Sequence, residues 1–461
     1  MANKNKINDL TEGPLFKQIV IFTIPLMLTG ILQTLYNAAD MIILGIFASD
    51  TAMGSVGACG ALIAMIINTF FGLSVGASVY VARYIGAKYY QGVEKVVHTS
   101  TCFAAICGVV VAVFGFFCAK PLLVLMGTPD AQLAEAVPYM KAYFLGVPAS
   151  IIYNYLAAIL RSSGDTKRPL IFLAISGVIN VGLNFILVYF FNKGAVGVGI
   201  STAVSQYAAL IMIVFHMMRM DGPCKLEFKK LGIDIQTLKN IVRLGLPAGL
   251  QGTLFALSNV LIQSTVNTYG PVVVNGNSAS GNIENFIYIS MNSLHHTALT
   301  FVGQNLGAGK KERVRPTVLY CVGLVAFVGL FMGGIAYTFG EDLLSIYAHG
   351  EADTIAAGMR RMSIIAVTYF TCGIMDVLCG FSRGMGRSLT PMIISLLGSC
   401  ALRIVWIYTI CPLDPQNITL LYISYPVSWI ITSAAHLVSC IITYKNIGNE
   451  RKPKTFRKKK V

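Results

Sequence analysis

Charge is scarce in this chain: 12% of its 461 residues are Asp, Glu, Lys or Arg, where a soluble domain carries roughly a quarter. With no long polar tract either, the chain is neither a disordered protein nor a coiled coil. Its 11 cysteines include no C-x-x-C, and most stand in apolar runs, so they read as small buried side chains; neither a disulfide nor a zinc site is expected. No Walker loop, H-E-x-x-H or Ser-His-Asp arrangement occurs, so the chain is not expected to be an enzyme and no cofactor is expected. The first 14 residues, MANKNKINDLTEGP, are polar, so no cleavable signal peptide is expected before the first apolar segment.

What is abundant is apolar sequence, at 55%. A bilayer core about 30 Å thick takes about 20 mainly apolar helical residues. Twelve stretches qualify, near 15–47, 53–82, 93–119, 131–160, 169–191, 196–218, 239–268, 275–306, 316–340, 354–382, 390–411 and 418–444. The expected fold class is an all-α polytopic membrane protein with twelve transmembrane helices. The polar run from Asn275 to Asn285 is the weakest part of that count.

Lys and Arg outnumber Asp and Glu 35 to 20, a formal charge of +15. In a soluble protein that excess points to nucleic acid; here the positions of the charges point to topology instead, and no nucleic-acid partner is expected. Cytoplasmic loops are enriched in Lys and Arg, and alternate connections collect them, as in Arg83, Lys88 and Lys95 or Lys310, Lys311, Arg313 and Arg315. Lys4, Lys6 and the tail RKPKTFRKKK fall on the same side, so both termini are expected in the cytoplasm of a multi-pass cell-membrane protein, the tail near anionic lipid head groups. Lys120, Lys141, Lys193, Arg360, Arg361 and Arg403 lie at opposite ends or inside spans, while Glu341, Asp342, Glu351, Asp353 and Asp414 mark the opposite loops.

The chain repeats itself. Pro25 and Pro247, Arg161 and Arg383, and Pro169 and Pro391 are each 222 residues apart. Six spans per half is an even number, so both halves enter from one side and the pseudo-twofold axis lies along the membrane normal, a layout common in transporters. The expected organisation is a cytoplasmic N-terminus (1–14), an N-terminal half (15–220), a linker (221–238), a C-terminal half (239–445) and a basic tail (446–461).

A carboxylate in the bilayer core costs about 2.5–3.5 kcal/mol on insertion scales, which makes each one a functional candidate. Asp40 lies about 12 Å inside the outer end of the first span, with Tyr36 and Gln33 at i−4 and i−7 on the same face. Thr202, Asn180 and Asn184 fall at matching depths in the sixth and fifth spans. Together they form a hard-ligand cluster suited to a small cation or a proton; the plainer account is hydrogen bonding between packed helices.

IPLMLTGILQTLYNAADMIILG, GASVYVARYIGAK, YNYLAAILRSSGDTKRP, GVGISTAVSQ, GLPAGLQGTLFALSNVLIQSTVN and TFVGQNLGAGKKERV follow one another over nearly the whole chain. In order and spacing they resemble the multidrug and toxic compound extrusion (MATE) transporters, whose superfamily also holds lipid-linked sugar flippases. The resemblance implies a secondary active exporter, working as a monomer by alternating access, that exchanges organic cations or amphipaths for H+ or Na+. It implies a cation-coupling role for Tyr36, Asp40, Asn180 and Thr202. Asn184 departs from the pattern, since many members carry an acid there, and the lost charge weakens the case for Na+. Gln33 shares the Asp40 face, and Asn154 and Gln206 face the pocket by resemblance and are expected to contact substrate.

Asp376 matches an acid of many bacterial members and corresponds to Asn154 in the repeat; it is either a second site or an ion-pair partner of Arg403 or Arg383. Glu284 belongs to substrate binding or to a solvated outer loop. The glutamate that many relatives place in the seventh span is missing from LQGTLFALSNVL. His295 and His296 are either proton relays or hydrogen-bonded packing. Pro25 and Pro247 favour kinks. Arg83, Arg161 and Arg383, beside glycine-rich turns, are expected to fix topology and close loops. Met27, Phe255 and Tyr288 are candidates for an apolar lining. The alternative function is a flippase for a lipid-linked oligosaccharide, which calls for a strongly basic cavity.

Overall fold

The computed structural model describes residues 9–348 and 351–446. Lys4, Lys6 and the basic tail after Asn446 lie outside them. The N-terminal half is built from α1 (Leu15–Phe47), α2 (Asp50–Gly86), α3 (Tyr90–Leu125), α4 (Asp130–Ser162), α5 (Lys167–Phe185) and α6 (Gly194–Arg219). The C-terminal half is built from α7 (Ile235–Asn267), α8 (Pro271–Gly307), α9 (Val314–Thr338), the short α10 (Gly340–Ala348), α11 (Ala352–Gly384), α12 (Leu389–Ser395), α13 (Leu402–Thr409) and α14 (Thr419–Asn446). A π-helical turn over Ile186–Phe190 extends α5, and another over Leu396–Ala401 joins α12 to α13 into one rod. Among the described residues no strand occurs. The result is an all-α membrane protein of twelve crossing rods.

Eleven of the rods are long and apolar enough to cross a membrane. The other, α8, carries Asn275, Asn277, Asn282, Glu284, Asn285, Asn292 and His295. It is nonetheless one continuous helix, started by Gly270 at φ 91° and Pro271 in the first turn, with Asn277, Glu284 and His295 buried against neighbouring helices. The solvated-loop alternative for Glu284 is therefore corrected. The helices also run through Pro25 and Pro247 without interruption.

The connection between the halves ends at Asp234 rather than at 238, because the Asp234 carboxylate accepts from the Thr237 N–H (2.8 Å) and caps α7. It is fastened to α3: Lys230 pairs with Glu94 (2.6 Å), the Glu227 N–H donates to His98 Nε2 (3.1 Å), and the Asp234 N–H donates to the Thr99 hydroxyl (3.2 Å).

The halves are closed on the lysine- and arginine-rich face. Arg83 donates to the Met385 carbonyl (2.6 Å), Gln304 donates to the Ser162 carbonyl (2.8 Å), and the Thr23 and Thr297 hydroxyls meet at 2.9 Å. At Gly86 the α2 backbone lies so near α8 that a Cβ would run into the Gln304 carbonyl. Residues 9–13 add a strap across this end: Leu10 is 5% exposed, its N–H donates to Gln304 (3.3 Å), and Lys310 donates to the Thr11 carbonyl (3.0 Å). Among the described residues, every cross-half side-chain hydrogen bond lies between this face and the level of Thr69, whose hydroxyl meets that of Thr253 at 2.7 Å.

Candidate functional site

A cavity of about 430 Å³ lies inside the N-terminal half. It is walled by the middle of α1, α2, α4, α5 and α6, and closed on the C-terminal side by Ile289 and Asn292 of α8. Helical spacing explains the α1 wall: Gln33, Tyr36, Asn37 and Asp40 stand at i, i+3, i+4 and i+7 and share one face. Asp40 is the acid in the lining, and no Lys, Arg or His accompanies it.

Asn184, fully buried one layer behind, donates its amide N–H to the Asp40 carboxylate. Asn184 also donates to Asn180 Oδ1 (3.5 Å), and Asn180 donates to the Thr202 hydroxyl (3.5 Å). A polar thread thus joins α1, α5 and α6 at one depth. Tyr36 stands on the same wall, its hydroxyl donating to the Ala174 carbonyl (3.3 Å) and its ring packed on Gly177. Such a group of oxygens around one carboxylate has the chemistry to hold a proton or a small hard cation.

The structure brings Gln33, Tyr36, Asp40, Asn154, Asn180, Thr202 and Gln206 into one lining, with Asn184 directly behind. Asp376 stands one step away. Its carboxylate accepts from Asn292 of the cavity wall (3.3 Å), and it forms no ion pair with Arg383 or Arg403. Arg383 instead donates to Gln251 (2.8 Å) and to His295 Nε2 (3.2 Å), and Arg403 donates to Ser428 (2.8 Å). With Nε2 of His295 accepting, its Nδ1 carries the proton and donates to the Asp376 backbone carbonyl (2.8 Å), the packing role rather than a relay. Arg383 accordingly ties α7, α8 and α11 together inside the bundle, whereas Arg83 closes the basic end as its position implied.

Glu284 is elsewhere. It is 2% exposed, and Arg361 grips it through Nε (3.0 Å) and Nη2 (2.7 Å), so it lines no part of this cavity and its carboxylate is fully engaged. Met27, Phe255 and Tyr288 also lie outside the lining, whose apolar part is Ile67, Phe71, Leu173, Ala209 and Ile289. The sequence reading passed over Asn37, Asn68 and Asn292. Asn37 was within reach of it, being at i−3 from Asp40 on the same helical face.

Known proteins place this architecture. The probable multidrug resistance protein YoeA of Bacillus subtilis is 25% identical over 443 residues, spanning 94% of each chain. The probable multidrug resistance protein NorM of Thermotoga maritima is 23% identical over 84% of each chain. Among solved structures, a MOP superfamily transporter from Pyrococcus furiosus shares the fold with a TM-score of 0.91 at 20% identity, over 96% of this chain and 99% of that one. An outward-facing multidrug resistance MATE family transporter matches with a TM-score of 0.90 at 20% identity, again over 96% and 99%. The MatE family profile matches twice, at residues 25–186 and 247–409, and the two matches begin at the same paired prolines that mark the internal repeat. Covering more than half of its length, they show that the chain belongs to the MatE family, the multidrug and toxic compound extrusion transporters.

Proposed function

We propose that the chain is a secondary active multidrug exporter, moving organic cations or amphipaths out of the cell in exchange for H+ or Na+ by alternating access, with Asp40 as the coupling carboxylate. The observation that carries this is a cavity of about 430 Å³ with one lining carboxylate and no basic side chain, in a molecule closed on its basic face. With that face in the cytoplasm, the arrangement is the outward-facing member of the cycle. The names of the relatives YoeA and NorM, both multidrug resistance proteins, support the same reading.

Coupling requires that ion and substrate bind with different free energies in the two facing states. Asp40 meets this through its partner: Asn184 donates an N–H to the ionised carboxylate, and protonation weakens that bond and the tie between α1 and α5. The same N–H stands where a metal ion would need an oxygen, which favours H+ over Na+. A flippase for a sugar diphosphate is not favoured, since its anionic group calls for basic residues that this lining lacks.

The test is uptake of a fluorescent organic cation into everted membrane vesicles under an imposed ΔpH or Na+ gradient, for wild type and Asp40→Asn. Uptake driven by ΔpH and abolished in the variant is expected. Uptake indifferent to both gradients and to Asp40 removes the proposal.

A further inference from the structure

Of the two adjacent histidines of α8, only one is committed by its bonds. His295 has both ring nitrogens engaged, by Arg383 and by the Asp376 carbonyl, whereas His296 makes no hydrogen bond among the described residues and is half-buried. Ile289, Asn292 and His296 stand at i, i+3 and i+7, so the α8 face that closes the cavity continues to His296, about 6 Å nearer the basic face than Asn292. The His296 ring meets Phe71 of α2 edge-on, with centroids 6.0 Å apart, and Phe71 is part of the cavity wall. The next residue, Thr297, bonds Thr23 of α1 in the closed end. His296 therefore lies where the cavity stops and the closed seam between the halves begins.

The cations whose fields reach His296 are Arg161 of α4 and Arg383 of α11, which occupy equivalent places in the repeat. Arg383 is tied to Gln251 and His295, while Arg161 makes no hydrogen bond or ion pair among the described residues. The other titratable neighbours are His295, bonded as the neutral ring, and Asp376, whose carboxylate is held by Asn292 one turn away. No charged residue stands on α1, α2 or α7 at this level. A neutral imidazole sits between two guanidiniums without penalty, but an imidazolium is a third like charge in a seam of low dielectric. Imidazole is also the side chain whose charge changes between pH 5 and 8. We propose that His296 is a proton-operated release for the closed seam: a proton reaching it from the cavity sets it against Arg161 on the other half, the halves part at the basic end, and the proton leaves to water there before the seam closes again. Arg161 travels with the N-terminal half and His296 with the C-terminal half, so the repulsion exists only while the seam is shut. That is a difference in proton affinity between the two facing states, which exchange requires.

The inference rests on the reading of the chain as an H+-exchanging transporter, and the experiment separates the two. Nitroxide labels at Gln91→Cys, in the first turn of α3, and Glu312→Cys, in the turn after α8, sit at exposed positions of opposite halves and report their separation at the basic end of the purified protein. The native cysteines are buried or half-buried, and the chain without the added pair gives the labelling background. Double electron–electron resonance is recorded at pH 8 and pH 5.5. With His296 intact, a longer-distance population is expected to grow at least about fivefold on acidification, as in interfaces opened by histidine protonation. With His296→Gln, growth of less than about twofold is expected. Arg161→Gln removes the opposing charge without touching the histidine, should abolish the growth as well, and decides the matter even if His296→Gln does not fold. Distances insensitive to pH with His296 intact, or growth that survives both variants and is lost only in Asp40→Asn, overturn the release. Uptake driven by ΔpH is scored separately: uptake with pH-insensitive distances rejects the release and leaves export standing, while a pH-driven separation without uptake leaves the release standing and rejects export.

Discussion

Replacing Glu284 with Gln isolates the function of the buried pair it makes with Arg361. The two side chains are 3% and 10% exposed and joined by a two-pronged contact of 3.0 and 2.7 Å. Breaking a buried pair by removing one partner costs about 3–5 kcal/mol, since it leaves the other charge uncompensated. Here the loss falls at the low end. Arg361 keeps its bond to Asn277 Oδ1 (2.7 Å) and its stacking over Tyr422 and Tyr425, at 5.7 and 5.5 Å from the ring centroids. At about 2.1 cal/mol/K per residue over 461 residues, a loss of about 3 kcal/mol lowers the melting temperature by about 3 °C. The assay is thermal unfolding of the detergent-solubilised protein for Glu284→Gln, Arg361→Gln and the double variant. The double variant should be more stable than the sum of the singles predicts, because neither charge is then left alone. Additive losses, or a Glu284→Gln shift under about 1 °C, refute the pair as a structural element and return Glu284 to the list of candidate transport residues.

Two further outcomes follow from the closed end. Gly86→Val places a side chain against the Gln304 carbonyl where no room exists, and the same melting assay should show a loss of about 1–3 kcal/mol from overpacking; an unchanged melt contradicts the close approach of α2 and α8. At Asp9, burial opposes the charge, but the Thr11 N–H and hydroxyl bonds, with Lys310 nearby, outweigh it and hold the carboxyl below its ordinary value of 3.8. A carboxylate with a lowered folded value stabilises the folded state above its unfolded value and loses that contribution as pH falls through the folded one. The strap over residues 9–13 should therefore resist protease equally from pH 7 down to about 4 and become cleavable only below that; protection lost by pH 5 contradicts this assignment.

The spans were legible in the sequence because a bilayer demands about 20 apolar residues of nearly every helix, and that demand is written locally. It is weakest for α8, where Glu284 and four neighbouring asparagines look like a loop, because Arg361, which holds Glu284 and Asn277 inside the bundle, lies 77 residues beyond Glu284. The α1 part of the site was legible for a related reason. Gln33, Tyr36 and Asp40 belong to one helix, and helical periodicity alone puts them on one face. Asn68 and Asn292 were not, since nothing in α2 or α8 alone says which of their polar residues meets a cavity. The fate of Asp376 was equally hidden: sequence proximity put Arg383 within reach, but the side chain of Arg383 turns to Gln251 and His295.

The repeat conserves the path of the backbone and divides the polar residues unequally between the two halves. Under the shift of 222 residues, Asp40 corresponds to Ile262, Gln33 to Phe255 and Asn184 to Trp406, whereas Asn154 corresponds to Asp376, Thr202 to Ser424 and Gln206 to Ser428, so the Asp40–Asn184 pair has no polar counterpart while other positions of the site do. The C-terminal half bonds its own polar groups to one another. Ser395, Ser399 and Arg403, four residues apart along one rod, face His436, Thr432 and Ser428, four residues apart on α14, at 2.9, 3.3 and 2.8 Å. All six are at least nine-tenths buried, and Arg403 also lies 4.2 Å from the centre of the Tyr425 ring. Polar side chains bonded to each other across helices fix their spacing and register, because sliding one helix strands every pair at once. Those around the N-terminal cavity keep bonding capacity for something that enters and leaves. The alternating access proposed above needs both properties, a body that moves without deforming and a site whose bonds can be remade, and the unequal division of polar residues assigns one to each half of the common repeat.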